Sequence, residues 1–323
     1  MFFIYRRQYK RIMDINKVKR ALKKVLMELK KTGAARVNKS DITTFFTTSS
    51  RNDNDATNKK RENALASLLT VPADYLSDPT HGQQWRTVRD DWIRVLRAFT
   101  PDPEREATTK LMGGRKYNYD IDLAIKNSTN NTHKLEFKYG GTKITELPQF
   151  LSLQAKAPLF PLTFPQFYYD NYIDKYLAAD DGITEPKPPL TQYLDMVTKV
   201  NYDVSPFFAQ LKERENVNKA KKDKIVNDGI TDYLNTYGSK IDAAAFTEKV
   251  KETQRDKVYM LWSGGKFNMD QFETENLNFE FYQIRNGNLL EVKSGDLVCS
   301  MLLRWRNHKG VLNPAWQISL KRV

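Results

Sequence analysis

Tyr117-Asn118-Tyr119-Asp120-Ile121-Asp122-Leu123-Ala124-Ile125, a polar turn, and then His133-Lys134-Leu135-Glu136-Phe137-Lys138 form the stretch whose reading decides the fold. It alternates with a period of two. Ile121, Leu123 and Ile125 fall on one parity, Asp120 and Asp122 on the other. Beyond a turn of Asn, Ser and Thr, Leu135 and Phe137 alternate with Lys134, Glu136 and Lys138. Successive strand side chains point to opposite faces, so alternation on both sides of a turn predicts a β-hairpin. One of its faces is apolar; the other carries two aspartates, a glutamate and lysines.

That polar face is chemically unusual. Aspartate is a poor strand former, and carboxylates set side by side repel one another. A divalent cation would compensate, and Mg²⁺ in particular takes a few carboxylate oxygens together with waters and phosphates. Such an ion polarises a phosphoryl oxygen and yields hydroxide near neutral pH. Lys138 projects on the same face as Glu136, roughly 7 Å further along the strand. There an ammonium can orient a water or offset charge building on phosphorus.

Asp122, then Glu136-Phe137-Lys138 on the next strand, with a helix expected over Ile144–Lys156, resembles the PD-(D/E)xK nuclease superfamily of restriction-endonuclease-like folds. The resemblance spans roughly forty residues, from Gly113 to about Gln154, and Ile121 stands where the family name has Pro. It implies that Asp122 and Glu136 bind the metal and that Lys138 assists the water. Of the two aspartates Asp122 is preferred, because it leads directly into an apolar run as the family aspartate does; Asp120 is an additional ligand. Some members of the family place an acidic residue on a helix before the sheet and a glutamine downstream, which makes Glu62 and Gln149 candidates for support; the plainer expectation is a surface glutamate among Lys59, Lys60 and Arg61 and a surface or core-edge glutamine. Beside it stands a plainer reading, a solvated hairpin face with an incidental cross-strand ion pair. A second Glu-x-Lys, Glu291-Val292-Lys293, competes for the site, but no aspartate precedes it in the matching place.

The rest of the chain agrees with a protein that meets a polyanion. With 323 residues, 40% of them hydrophobic, it is long enough for a full core and one or two domains. No apolar run approaches the roughly twenty residues of a membrane span. The single cysteine, Cys299, leaves no internal disulfide and reads as a core residue, which suggests a reducing intracellular compartment, cytoplasmic or nuclear. Net charge is +13, and residues 1–40 hold 13 Lys+Arg against Asp14 and Glu28, so +11 sits there and +2 on all the rest. A basic helix is expected over Asp14–Lys31, with Val18, Leu22, Val25 and Leu29 as its stripe and Lys17, Arg20, Lys23 and Lys24 around it. Gly113-Gly114-Arg115-Lys116, just before the hairpin, adds two cations that can meet a phosphate. With only His81, His133 and His308, far apart in the chain, zinc sites and His-dependent nuclease folds are disfavoured.

Further elements read clearly. Helices are expected over Ala56–Leu69 and Trp85–Phe99. Residues 158–193 crowd prolines with aromatics that read as core. Strands are expected at Val258–Trp262, at Phe279–Ile284 and Leu289–Lys293 around an Asn286-Gly287 turn, at Met301–Trp305 and at Trp316–Leu320. The expectation is an α/β protein whose central mixed sheet contains the hairpin and is flanked by helices. It divides into a basic helical arm (1–40), a nuclease-like core (41–200), and a helical link with a β-rich end (201–323) that completes the core or forms a second lobe. The function expected is Mg²⁺-dependent nucleic-acid hydrolysis, with Mn²⁺ as a substitute ion, DNA favoured over RNA, and a homodimer implied by the resemblance. The alternative is a nucleic-acid-binding protein on a nuclease-like fold that does not cut.

Overall fold

The computed structural model describes residues 39–47, 54–70, 72–112, 117–126, 132–199 and 205–323. The basic arm, including Lys17, Arg20, Lys23 and Lys24, and the Arg115-Lys116 turn lie outside the described residues. Two five-stranded sheets, accompanied by eleven helices among the described residues, make this a mixed α/β chain. No described helix is long and apolar enough to cross a membrane.

The chain divides into two compact units that interleave in sequence. The first takes the described residues up to Gly140 together with Asp256–Gln271; the second takes Gly141–Arg255 and Phe272–Val323. The boundary therefore does not fall near residue 200. Residues 256–271 complete the first sheet, while 272–323 build the second.

In the first unit, helices α1 (Lys39–Thr44), α2 (Asn54–Ser67), α3 (Pro72–Leu76), α4 (Gly82–Leu96) and α5 (Pro103–Glu106) precede strands β1 (Ala107–Leu111), β2 (Ile121–Ile125) and β3 (Thr132–Tyr139). Strands β5 (Lys257–Ser263) and β6 (Lys266–Gln271) follow much later in the chain. Strand order is β1-β2-β3-β5-β6; β3 and β5 run parallel and the other neighbours antiparallel. The hairpin register sets Ile121 opposite Leu135 and Leu123 opposite His133. Ile121, Leu123, Ile125, Leu135 and Phe137 all enter one core with Phe45, Leu65, Trp85, Val88, Trp92 and Leu96. In α4, Trp85, Val88, Trp92, Val95 and Leu96 are buried, the apolar face that helical spacing predicts. The opposite face of the sheet is left to the polar parity of the hairpin.

In the second unit, β4 (Leu151–Gln154), β7 (Glu280–Arg285), β8 (Leu289–Ser294), β9 (Leu297–His308) and β10 (Leu312–Arg322) form an antiparallel sheet in the order β4-β10-β9-β8-β7. Its helices are α6 (Phe164–Asn171), α7 (Ile173–Leu177), α8 (Leu190–Met196), α9 (Pro206–Glu213), α10 (Lys219–Tyr237) and α11 (Ala243–Gln254). The β7–β8 hairpin turns at Asn286 and Gly287 with φ of 52° and 68°, the left-handed pair a tight two-residue turn requires. Phe160, Phe164, Phe167, Tyr168, Tyr172 and Tyr176 are buried, as is Cys299. These aromatics fill a core.

One expectation is overturned. No helix spans Ile144–Lys156: a single 3₁₀ turn at Ile144–Glu146 gives way to strand β4. Pro148 cannot donate a helical hydrogen bond beyond the first turn. After it Leu151 and Leu153 are buried while Gln154 is exposed, a period of two. β10 supplies the partner, with Leu151 beside Ile318 and Gln154 beside Ala315.

Candidate active site

The register that buries Ile121 and Leu135 against the core carries a consequence for their neighbours. Ile121 faces Leu135 and Asp122 faces Lys134, so the same antiparallel ladder brings Asp120, not Asp122, opposite Glu136. The backbone N–H of Asp120 donates to Leu135 O at 3.0 Å, and Asp120 Oδ2 accepts from the N–H of Phe137 at 2.9 Å. Asp120 is thus fixed at the mouth of the hairpin beside Glu136. Lys138 reaches back along β3 and meets Glu136 Oε1 at 2.5 Å.

Asp122 stands apart. Its neighbours in register are Lys110 of β1 and Lys134 of β3, and Tyr119 donates a hydrogen bond to it. Its Oδ1 is buried without a hydrogen-bond partner. The preference for Asp122 over Asp120 therefore reverses on geometry: of the two, Asp120 stands with Glu136 and Lys138.

Glu62 joins them electrostatically. It lies on α2, and the preceding Arg61 is almost fully buried. Arg61 donates to the carbonyls of Phe45 (3.4 Å) and Thr47 (2.5 Å) and lies 3.6 Å from the centre of the Tyr139 ring, next to Lys138. Thr109 Oγ1 of β1 donates to Ala66 O at 2.9 Å, tying down the far end of α2. Anchored in this way, Glu62 feels Asp120, Lys138 and Glu136. Burial, and then the Asp120 charge, push its carboxyl up to about 8. Asp120 itself is raised to about 6, first by burial and then by Glu136, with Lys138 opposing.

Glu136 behaves differently although it is more deeply buried. Burial works against its charged form, yet the ammoniums of Lys138 and Lys257 outweigh it and hold the carboxyl below its usual range. Lys138 is raised in turn, because Glu136 and Asp120 outweigh its own burial. Lys257, at the start of β5, was not singled out in the sequence. Its Nζ meets Glu136 Oε2 at 2.9 Å. It comes from a parallel strand 121 residues downstream, a pairing that no local spacing announces.

Gln149 is exposed and belongs to the second unit, on the segment entering β4. The rival Glu291-Val292-Lys293 is a different kind of object. Glu291 is fully buried and accepts from Gln283 (2.6 Å), Arg285 (3.1 Å), Ser300 (2.8 Å) and Lys321 (2.8 Å). Burial alone would raise its carboxyl, but Lys321, Gln283 and Ser300 hold it at about 2. Lys293 lies over the Tyr282 ring instead. This carboxylate is saturated by its neighbours and offers no oxygen to a ligand.

The donor set decides whether a cation fits at Asp120 and Glu136. Among the described residues no three His, Cys, Asp or Glu side chains are grouped closely enough to hold a metal ion unaided. A two-carboxylate set remains, and that suits an ion that completes its shell with water and phosphate oxygens, as Mg²⁺ does. Burial first, and then a neighbouring carboxylate (Asp120 for Glu62, Glu136 for Asp120), raises two carboxyls here, and a cation beside them would favour their charged forms. Compared with models of known protein families and with curated protein sequences, the chain matches none.

Proposed function

We propose that this chain hydrolyses phosphodiester bonds of nucleic acid, DNA foremost, on a core of the restriction-endonuclease-like kind. Asp120 and Glu136 would hold a Mg²⁺ ion, and Glu62, which is raised to about 8, would lend a further negative charge once the bound ion displaces its proton. When bound, the ion supplies Lewis-acid polarisation of the phosphate and acidifies water. Lys138 has more freedom than its partner Glu136 or the second lysine, Lys257, with 28% of its side-chain surface exposed against 12% and 4%. Its ammonium can leave Glu136 for an incoming phosphate oxygen or water, and its flanking carboxylates keep it charged throughout. The observation that carries this reading is the convergence of Asp120, Glu136 and Lys138 on one polar face, backed by a packed apolar face that fixes their register.

The test is cleavage of circular DNA with Mg²⁺ against an EDTA control. The wild type is expected to nick or linearise it only with the metal. Asp120→Asn and Lys138→Ala should lose at least a hundredfold in rate, an effect on the scale of one general acid–base or electrostatic group. Asp122→Asn should stay within a few-fold of wild type. Unchanged cutting by Asp120→Asn would sink the assignment.

A second reading has its own support. Both oxygens of Glu136 are already paired with lysines. A self-neutralised cluster of this sort is also what a binding protein that has no catalysis would keep. DNA shifted but never cut, with or without Mg²⁺, would favour it.

A further inference from the structure

Glu136 is gripped from two sides, and the two grips are unequal. Lys138 holds Oε1 from the same strand and keeps 28% of its side-chain surface. Lys257 holds Oε2 from β5 and keeps 4%. Its place is set by the backbone, since β5 runs parallel to β3 with Lys257 beside Lys134 and Tyr259 beside Glu136. The Tyr259 ring lies 5.5 Å from its ammonium. An ammonium buried this far is tolerated only while its charge is paired, so Lys257 stays with Glu136. Lys138, by contrast, has water to turn to.

We propose that Lys257 decides how Glu136 meets a divalent cation: by occupying Oε2 it leaves Oε1 as the only oxygen this carboxylate can give, which favours Mg²⁺ over Ca²⁺. The inference rests on reading the Asp120–Glu136 cluster as a cation site. Ca²⁺ gathers six to eight oxygens and readily takes both from one carboxylate, whereas Mg²⁺ keeps a tight octahedron with waters. Lys257 also places a positive charge beside the ligand, which weakens the attraction for every divalent ion. Selectivity is thereby gained at the expense of affinity. Lys257 is a positioning residue in this scheme and touches no substrate.

The experiment is calorimetric titration of the full chain with MgCl₂, MnCl₂ and CaCl₂, without nucleic acid. Lys257→Met is expected to bind all three ions more tightly, and to shift the Ca²⁺-to-Mg²⁺ affinity ratio toward Ca²⁺ on the order of tenfold. Lys257→Arg, which keeps both the charge and the grip, should retain the wild-type ratio. Lys257→Gln serves if the methionine variant fails to fold. It removes the charge but keeps a donor to Oε2, so it should tighten all three ions and leave the ratio alone. A methionine variant with the wild-type ratio, or a glutamine variant with wild-type affinities, overturns the inference while the cation site stands. A wild type that binds none of the three ions, or an Asp120→Asn chain that binds them as well as wild type does, brings down the site reading and this inference with it.

Discussion

Carboxylates in this chain are pushed in opposite directions by their neighbours, and the direction says what each one does. Glu291 is held at about 2 by hydrogen bonds from Lys321, Gln283 and Ser300 that outweigh its burial, whereas Asp120 is raised to about 6 and Glu62 to about 8, by burial first and by neighbouring carboxylates second. For Asp120 and Glu62 the folded state holds protons that the unfolded chain has already lost. Their contribution therefore makes stability fall as pH rises from about 4 toward 8. Glu62 governs the upper part of that window. Thermal unfolding of Glu62→Gln between pH 6 and 8, without divalent ions, is expected to show a flatter decline in Tm than the wild type. Added Mg²⁺ should raise the wild-type Tm more at pH 8 than at pH 5, because the ion takes the deprotonated carboxylates. Equal slopes for variant and wild type would mean that Glu62 is solvated and takes no part in the cluster.

Between elements, the same tripeptide pattern has two meanings. Glu136-Phe137-Lys138 lies on β3 with a second lysine arriving from β5, while Glu291-Val292-Lys293 lies on β8 with its carboxylate locked by β7, β9 and β10. Glu291→Gln is expected to leave DNA cleavage unchanged and to destabilise the second unit by about 2 kcal/mol, the scale of charge-assisted hydrogen bonds lost at a buried site. A calorimetric scan beside the plasmid assay checks both halves, and a loss of cutting with intact folding would move the site to β8. The contrast also shows what was legible in the sequence. Alternation fixed the hairpin and its two faces, because one parity is all apolar and a one-residue slip would bury the acids. Choosing between Asp120 and Asp122 required the cross-strand register, which depends on a turn whose length alternation cannot measure. After Lys138 a helix over Ile144–Lys156 tolerates Pro148 in its first turn, but Leu151 and Leu153 serve a period of two once β10 offers an edge to pair with. Lys257 gave no signal, since a lone lysine at the start of a strand is ordinary until its parallel neighbour is known.

For the whole molecule, a partition into consecutive domains missed the interleaving, because local patterning marks elements and not which sheet a later strand will join. β5 and β6 return to the first sheet after the long excursion through residues 141–255. Charge is partitioned more simply than fold. Residues 1–38 carry twelve Lys+Arg against Asp14 and Glu28, so removing them takes +10 from a net +13 and leaves +3. Cutting there spares α1, whose Ile42, with Phe45 just beyond, is buried in the core of the first unit, and leaves Glu62, Asp120, Glu136 and Lys138 in place. If those cations neutralise phosphates, each contact releases counterions, and log K falls with log salt at a slope of about 0.9 per phosphate neutralised. The chain lacking residues 1–38 should therefore bind duplex DNA roughly tenfold or more weakly at moderate salt, with a salt slope smaller by several. Its Mg²⁺-dependent cutting rate at saturating DNA and low salt should stay close to that of the full chain. Fluorescence anisotropy across a salt series, paired with single-turnover cleavage, separates the two effects. An unchanged salt slope would assign the polyanion contacts to the body of the protein, and a lost cleavage rate at saturation would mean that the arm takes part in the chemistry.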